Sequence, residues 1–252
     1  FFVKCMDRKG NANDASYLIR FKTKKAPDNQ PPIVLGFNPE HDSVISSEAG
    51  KDNDSPLFSD LKLNEPAECR YDKSNKEFDQ MGNRSICDDE FSLTQQEYIC
   101  TSVFSGMKEG PNNYFFKCKD LKGNLHRTSF NYNLIRSKSL KIEIEDESPS
   151  GLTYTKDVTL SVSTEDGSEN GKAICRFNTE NLPYEQMTEF SQTNSNRHLQ
   201  SQTNLRRGNY NYYIKCKDNI GNLAEEKIKF RIVLDRAGGL GGAELVNVYK
   251  DS

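Results

Sequence analysis

The sequence predicts an all-β chain of tandem, disulfide-bonded β-sandwich domains. Three observations lead there: a motif spelled three times, its recurrence at roughly the length of one sandwich domain of about 100 residues, and seven cysteines in a chain poor in apolar residues. Residues 4–11 read KCMDRKGN, residues 117–124 KCKDLKGN and residues 215–222 KCKDNIGN, behind the runs FFV, YFF and YYI. Alternation places Val3 with Cys5, Phe116 with Cys118 and Ile214 with Cys216 on one face of a strand, and turns Lys4, Lys117 and Lys215 to the other. The Asp-x-x-Gly-Asn that follows carries a side chain able to bond its own turn and a glycine able to take positive φ. A second strand comes next in each copy, at Tyr17 to Phe21, Phe130 to Ile135 and Ile228 to Leu234. The repeated unit is therefore expected to be a β-hairpin with one inward cysteine.

Composition agrees. With 34% hydrophobic residues and no tryptophan, a small β domain has a modest core and gains from covalent cross-links. The formal charge of −3 is mixed along the chain, which argues against nucleic acid or a membrane surface as partner. No apolar run approaches the ~20 residues of a membrane span.

Taken in order, residues 1–24 are expected to be the C-terminal hairpin of a truncated repeat whose earlier part lies upstream, leaving Cys5 without its partner. Residues 25–31 are a polar, proline-rich linker. The first whole repeat runs over 32–138, with strands at IVLGF (Ile33 to Phe37), Leu57 to Leu63 and AECRY around Cys69; the second runs over 139–235, with SLKIEIE, DVTLSVST and AICRF around Cys175. Val158, Leu160 and Val162 alternate inward. An independent repeat signal lies beyond each cysteine, where Phe78 and Met81 stand at the same offsets from Cys69 as Tyr184 and Met187 from Cys175. Residues 236–252 read as a Gly-rich linker and, from Glu244 to Tyr249, the first strand of a further repeat.

The aligned repeats sort the cysteines. Cys69 matches Cys175 and Cys118 matches Cys216, and the longer interval of the first copy holds the extra pair Cys87 and Cys100. Six cysteines allow fifteen connectivities; the repeat selects Cys69–Cys118, Cys175–Cys216 and Cys87–Cys100.

AECRY and AICRF, the pairs Met107/Gly110 and Leu205/Gly208 ahead of the late strand, and NYFFKCKDLKGN and NYYIKCKDNIGN together resemble the tandem immunoglobulin-like and fibronectin type III-like repeats of bacterial and archaeal surface proteins. The resemblance covers nearly all of residues 31–235 and implies sandwiches of two antiparallel sheets. The chain departs from antibody-type domains in having no Trp, and by strand count Cys69 and Cys175 fall on the third strand, C, beside strand F in the same sheet. The bridges are therefore expected within one sheet. A tyrosine corner is allowed at Tyr114 and Tyr212.

Catalysis has little to stand on. His41, His126 and His198 fall in unrelated polar stretches and read as solvated side chains; the sequence lacks Gly-x-Ser-x-Gly, phosphate-loop and His-Glu-x-x-His motifs. No cofactor is implied. Calcium is conceivable at the acidic joint Glu143 to Ser148 with Glu165 and Asp166, whereas DNDSPLF (Asp52 to Phe58) falls inside a repeat. Asn53 and Asn83 are N-glycosylation sequons. Phe115 and Tyr213 face away from the cysteines as a conceivable ligand patch, and Arg206 and Arg207 with the motif lysines make scattered positive points. What the resemblance implies is an extracellular, cell-surface stalk, adhesin or filament building block, whose expected partners are neighbouring repeats of the same chain and a surface glycan, a protein ligand or further copies of itself by self-assembly. The alternative is an accessory binding module of a secreted glycan- or protein-degrading enzyme.

Overall fold

A computed structural model describes residues 2–20, 28–88 and 97–233. At its start β1 (Phe2–Val3) and β2 (Tyr17–Leu18) pair antiparallel around the first motif turn. The first whole repeat contributes β3 (Val34–Asn38), β4 (Val44–Ile45), β5 (Leu57–Leu63), β6 (Ala67–Asp72), β7 (Asn83–Arg84), β8 (Ile86–Cys87), β9 (Tyr98–Phe104), β10 (Gly110–Asp120) and β11 (Phe130–Arg136). The second contributes β12 (Lys141–Ile144), β13 (Gly151–Thr153), β14 (Val158–Glu165), β15 (Ala173–Asn178), β16 (Thr188–Glu189), β17 (Arg197–Gln202), β18 (Gly208–Asp218) and β19 (Leu223–Ile232). The expected strand from Glu244 to Tyr249, the rest of the tail, residues 25–27 of the linker and residues 89–96 of the Cys87–Cys100 loop lie outside the described residues.

Each whole repeat is two sheets around one core. In the first, β3-β5-β9-β8 packs on β4-β11-β10-β6-β7; in the second, β12-β14-β17 packs on β13-β19-β18-β15-β16. With strands lettered in chain order, β6 and β15 are strand C, β10 and β18 strand F, and β11 and β19 strand G. The short β4 and β13 run parallel to strand G, in stretches where the sequence predicts no strand. Among the described residues a strand D forms only in the first repeat, as β8 on the edge of β9.

The alternating residues fill the cores. Ser59, Leu61 and Leu63 on β5, and Val158, Leu160 and Val162 on β14, are buried. In the first repeat aromatics take up the volume around the cysteines: Phe104 stacks on Tyr114 at 4.0 Å between centroids, Phe37 on Tyr132 at 4.2 Å and Tyr71 on Phe116 at 5.2 Å. Such offset stacks add specificity to burial. The second core relies more on aliphatics, Leu160, Val162, Ile214, Ile228 and Ile232 among them, beside the buried aromatics Phe190, Tyr212 and Phe230.

The first hairpin corrects one expectation. Cys5 is exposed, not inward, because among the described residues no second sheet packs on β1 and β2.

Gly171 is where the fold tolerates least. It follows β14 with φ of +86°, and a Cβ there would fall against the carbonyl oxygen of Thr164 and the Cα of Glu165. Gly221 has φ of +91° but open space around it. Gly171→Ala is therefore expected to cost about 2–4 kcal/mol and Gly221→Ala about 1 kcal/mol, read as denaturant midpoints of the two variants.

Candidate functional site: cysteine strands, their covers and the joint between repeats

The three motif copies form the same turn. Asp7, Asp120 and Asp218 each accept through Oδ1 from the backbone N–H two residues on, at 2.8, 2.8 and 3.1 Å, and from that of Asn11, Asn124 or Asn222, at 2.9, 2.8 and 2.8 Å. The Asn side chain returns a bond to Asp Oδ2 at 2.9, 2.6 and 2.7 Å. The glycine between them has φ of +90°, +92° and +91°, a region open to Gly at no steric cost. The motif is thus a self-sufficient turn: it forms even where Asn11 is exposed.

Ahead of the turn the cysteines stand opposite one another. Register pairs Cys69 with Cys118 and Cys175 with Cys216, both between strands C and F of one sheet. The structure joins each pair as a disulfide, with Cα atoms 4.1 and 4.0 Å apart, and joins Cys87 to Cys100 across β8 and β9 at 3.9 Å. Backbone bonding explains the close approach. Cys69 O accepts from Ser85 N and Cys118 O from His126 N, while Cys175 N donates to Thr193 Oγ1 and Cys175 O accepts from Phe190 N. These groups point away from the partner strand, so the pairs occupy non-hydrogen-bonded positions, where facing side chains come nearest. Cys69, Cys118, Cys175 and Cys216 are fully buried.

Two histidines read as solvated are buried. His126 takes the place that Ala224 holds in the second repeat; its Nδ1 accepts from Cys118 N at 3.0 Å and its Nε2 meets Pro32 O at 2.5 Å. His198 has no exposed surface, with Nδ1 2.8 Å from Thr193 Oγ1 and Nε2 2.9 Å from Thr164 Oγ1. Burial drives its pKa down to about 4. Only His41 is exposed, beside Asp42 at 3.2 Å.

The motif lysines are not scattered surface charges either. Lys117, 3% exposed, pairs with Glu77 at 3.0 Å, and Lys215, 9% exposed, pairs with Glu225 at 2.8 Å. What covers the outer face is the aromatic of the second repeat signal. Phe78, in a 3-10 turn, lies between Arg70 at 4.6 Å and Lys119 at 4.7 Å from its ring centroid; Tyr184 lies between Arg176 at 4.6 Å and Lys217 at 5.5 Å. One arginine follows each strand-C cysteine and one lysine each strand-F cysteine, so the clip straddles the disulfide from outside. Contacts of this kind are worth about 0.5–2 kcal/mol. Met81 and Met187 are buried beside them.

The remaining candidates scatter. Phe115 is half-buried, and Tyr213 carries Lys227 over its ring at 4.3 Å. Asn53 and Asn83 are exposed, and Asp52 bonds Asp54 N and Ser55 N within its own turn. The Tyr114 hydroxyl is buried without a hydrogen-bond partner, so no tyrosine corner forms there; Tyr212 stacks on Phe230. Asp166 is held by Lys141 at 2.8 Å and Lys138 at 3.2 Å, Glu165 by Lys141 and Glu147 by Arg197. Hydrogen bonds from Lys141 and Lys138 lower the pKa of Asp166. The carboxylates that converge are others, Asp28, Glu65 and Asp120, with oxygens within 4.8 Å of one another. Burial and the two neighbouring charges raise the pKa of Glu65.

Asn222 crosses between repeats. Its Oδ1 accepts from Ser46 Oγ at 3.0 Å and Ser47 N at 2.8 Å, and its Nδ2 donates to Ser137 Oγ at 3.0 Å. Nothing in the sequence marks Ser46, Ser47 or Ser137 for this role.

No protein-family model matches the sequence and no curated protein matches it. Solved structures similar in fold include the fibronectin(III)-like modules of CbhA from Clostridium thermocellum, at 9% identity over 82% of this chain and 96% of that one, TM-score 0.39. An E-to-A variant of titin domains I67–I69 is similar at 13% identity over 81% and 66%, TM-score 0.44. Extracellular domains 3–5 of Drosophila OTK are similar at 11% over 78% and 61%, TM-score 0.37. By strand order, with sheets ABED and A′GFCC′ in the first repeat and ABE and A′GFCC′ in the second, the chain is built from tandem immunoglobulin-like β-sandwiches.

Two outcomes follow from this geometry. Closing loops of 13 and 41 residues, the Cys87–Cys100 and Cys175–Cys216 bridges are expected to contribute about 3 and about 4 kcal/mol, read from unfolding of the double alanine variants. His198 stays neutral in the folded state down to about pH 4, whereas an unfolded histidine takes a proton below about 6.5. Its contribution is intact above that value and falls by about 3 kcal/mol as pH drops to 4. The pH dependence of unfolding should flatten in His198→Gln over that window.

Proposed function

We propose that this segment works outside the cytoplasm as a structural or adhesive spacer, the repeating part of a stalk, adhesin or filament. The observation that carries the reading is the fully buried cysteine pair at the centre of each sandwich, an arrangement suited to an oxidising compartment. Its partners are then the neighbouring repeats of the same chain and, through loops, a surface glycan or protein. The loop between Cys87 and Cys100 is the natural binding element, since one repeat has it and the other lacks it.

A second reading, an accessory binding module of a secreted hydrolase, draws support from a crevice of about 250 Å³ lined by Tyr71, Asp72, Lys73 and Tyr114, among others. Lys73 is its exposed charged member.

Secretion of the chain into an oxidising compartment tests the spacer reading. Mass spectrometry of non-reduced digests should find the three bridges and one free thiol, and small-angle scattering a monomer at least about 70 Å long, two sandwiches of ordinary strand length end to end. A compact monomer, or six reduced cysteines in the secreted protein, would sink it. Specific retention on a glycan array, abolished by Lys73→Ala, would favour the accessory module.

A further inference from the structure

The three turns are alike inside and differ in what they meet outside. Asn11 is exposed. Among the described residues Asn124 reaches one group beyond its own repeat, Asp28 O at 3.1 Å in the preceding linker. Asn222, 2% exposed, meets three groups of the preceding repeat, Ser46, Ser47 and Ser137.

The amide of Asn222 is used to capacity. A carboxamide offers two acceptor sites and two donor hydrogens. Both acceptor sites take bonds from across the joint, from Ser46 Oγ and Ser47 N; one donor goes across to Ser137 Oγ and the other back to Asp218 Oδ2 at 2.7 Å. The receiving side is built before the amide arrives. Ser137 N bonds Ile45 O at 2.9 Å where β4 and β11 end together, and the Arg136 guanidinium bonds Ser47 O. The turn is fixed on its own side as well, since Asp218 Oδ2 also accepts from Ser168 N at 2.8 Å.

We infer that Asn222 is the latch that fixes the angle between the two repeats, and that the Ser46–Ser47–Ser137 corner is its socket. Rigid groups on both sides lose little freedom on meeting, so these bonds act on orientation and not on folding of either sandwich. The motif Asn thus has two separable roles. Toward Asp it closes the turn in every copy; toward a neighbour it locks a joint only where the neighbour supplies the socket. This inference rests on the spacer reading for its purpose, since a spacer's reach depends on whether its joints bend.

The test uses residual dipolar couplings of the whole chain, with tryptic cleavage after Lys138, next to the socket, as a second readout. In the wild type, couplings from both repeats should fit a single alignment tensor. Asn222→Asp keeps the acceptors, loses the donors and adds a charge beside Asp218; it should require two tensors and raise cleavage roughly tenfold. Ser46→Ala combined with Ser137→Ala probes the same joint from the first repeat, leaves the Asp218 turn untouched and should do likewise. Asn11→Ala should change neither readout. Native amide dispersion in both repeats separates a released joint from an unfolded sandwich. Two tensors in the wild type would overturn the latch, as would one tensor in both the Asn222 and the serine variants. In that last case an elongated monomer by scattering would leave the spacer reading standing, and a compact one would remove both.

Discussion

Everything in these sandwiches depends on two strands held side by side by sulfur. Strands C and F meet at non-hydrogen-bonded positions where the cysteines face each other closely, and the bridge lies among the residues that make each core. In a chain with 34% hydrophobic residues, burial alone leaves a domain of this size with a thin margin over conformational entropy. A cross-link that restricts the unfolded chain widens that margin without asking for a larger core. The placement differs from a bridge between sheets. It leaves the space between sheets to side chains, and in the first repeat aromatics fill it.

The bridge also organises the outer face of the same sheet. Residues next to a buried cysteine must point outward, so Arg70 and Lys119, or Arg176 and Lys217, emerge on either side of the staple. An aromatic laid over that sheet has both cations within cation–π distance of its ring. The lysine preceding each strand-F cysteine is then sheltered and has to be paired, which Glu77 and Glu225 do. Burial of a charge is tolerable only with such a partner. The polar outer face is thus an ordered layer, in which Phe78 and Met81 recur as Tyr184 and Met187 because the clip recurs.

Much of this was legible in the sequence, for reasons that are physical. The motif announced its hairpins because aspartate, glycine and asparagine each have a local duty in the turn; β5 was legible from Leu57 to Leu63 because one face is buried and alternation follows. The parts that escaped are set by distant partners. Strands β4 and β13 are too short for a period and exist because strand G offers an edge. Strand β17, RHLQSQ, looks polar because His198 enters the core satisfied by two threonines. His126 is buried by Cys118 and Pro32, neither near it in a way that local polarity would register. Lys117 and Lys215 were assigned to the correct face but not to the correct environment, since the cover comes from another loop or from strand G.

The same distinction governs how repeats connect. Whatever a turn does for itself is written in its own eight residues, and so all three copies look alike. Whatever it does for a neighbour depends on the neighbour, and there the copies part: three bonds at Asn222, one at Asn124 and an exposed side chain at Asn11. A tandem protein built this way can vary each joint by changing only the receiving corner, because the inserted turn is already rigid. Ser46, Ser47 and Ser137 are small and polar, and they follow two strands that end together. Residues of that kind can be replaced without touching either core or disulfide. Stiffness between sandwiches is therefore free to change while the stability of each sandwich stays with its buried sulfur pair.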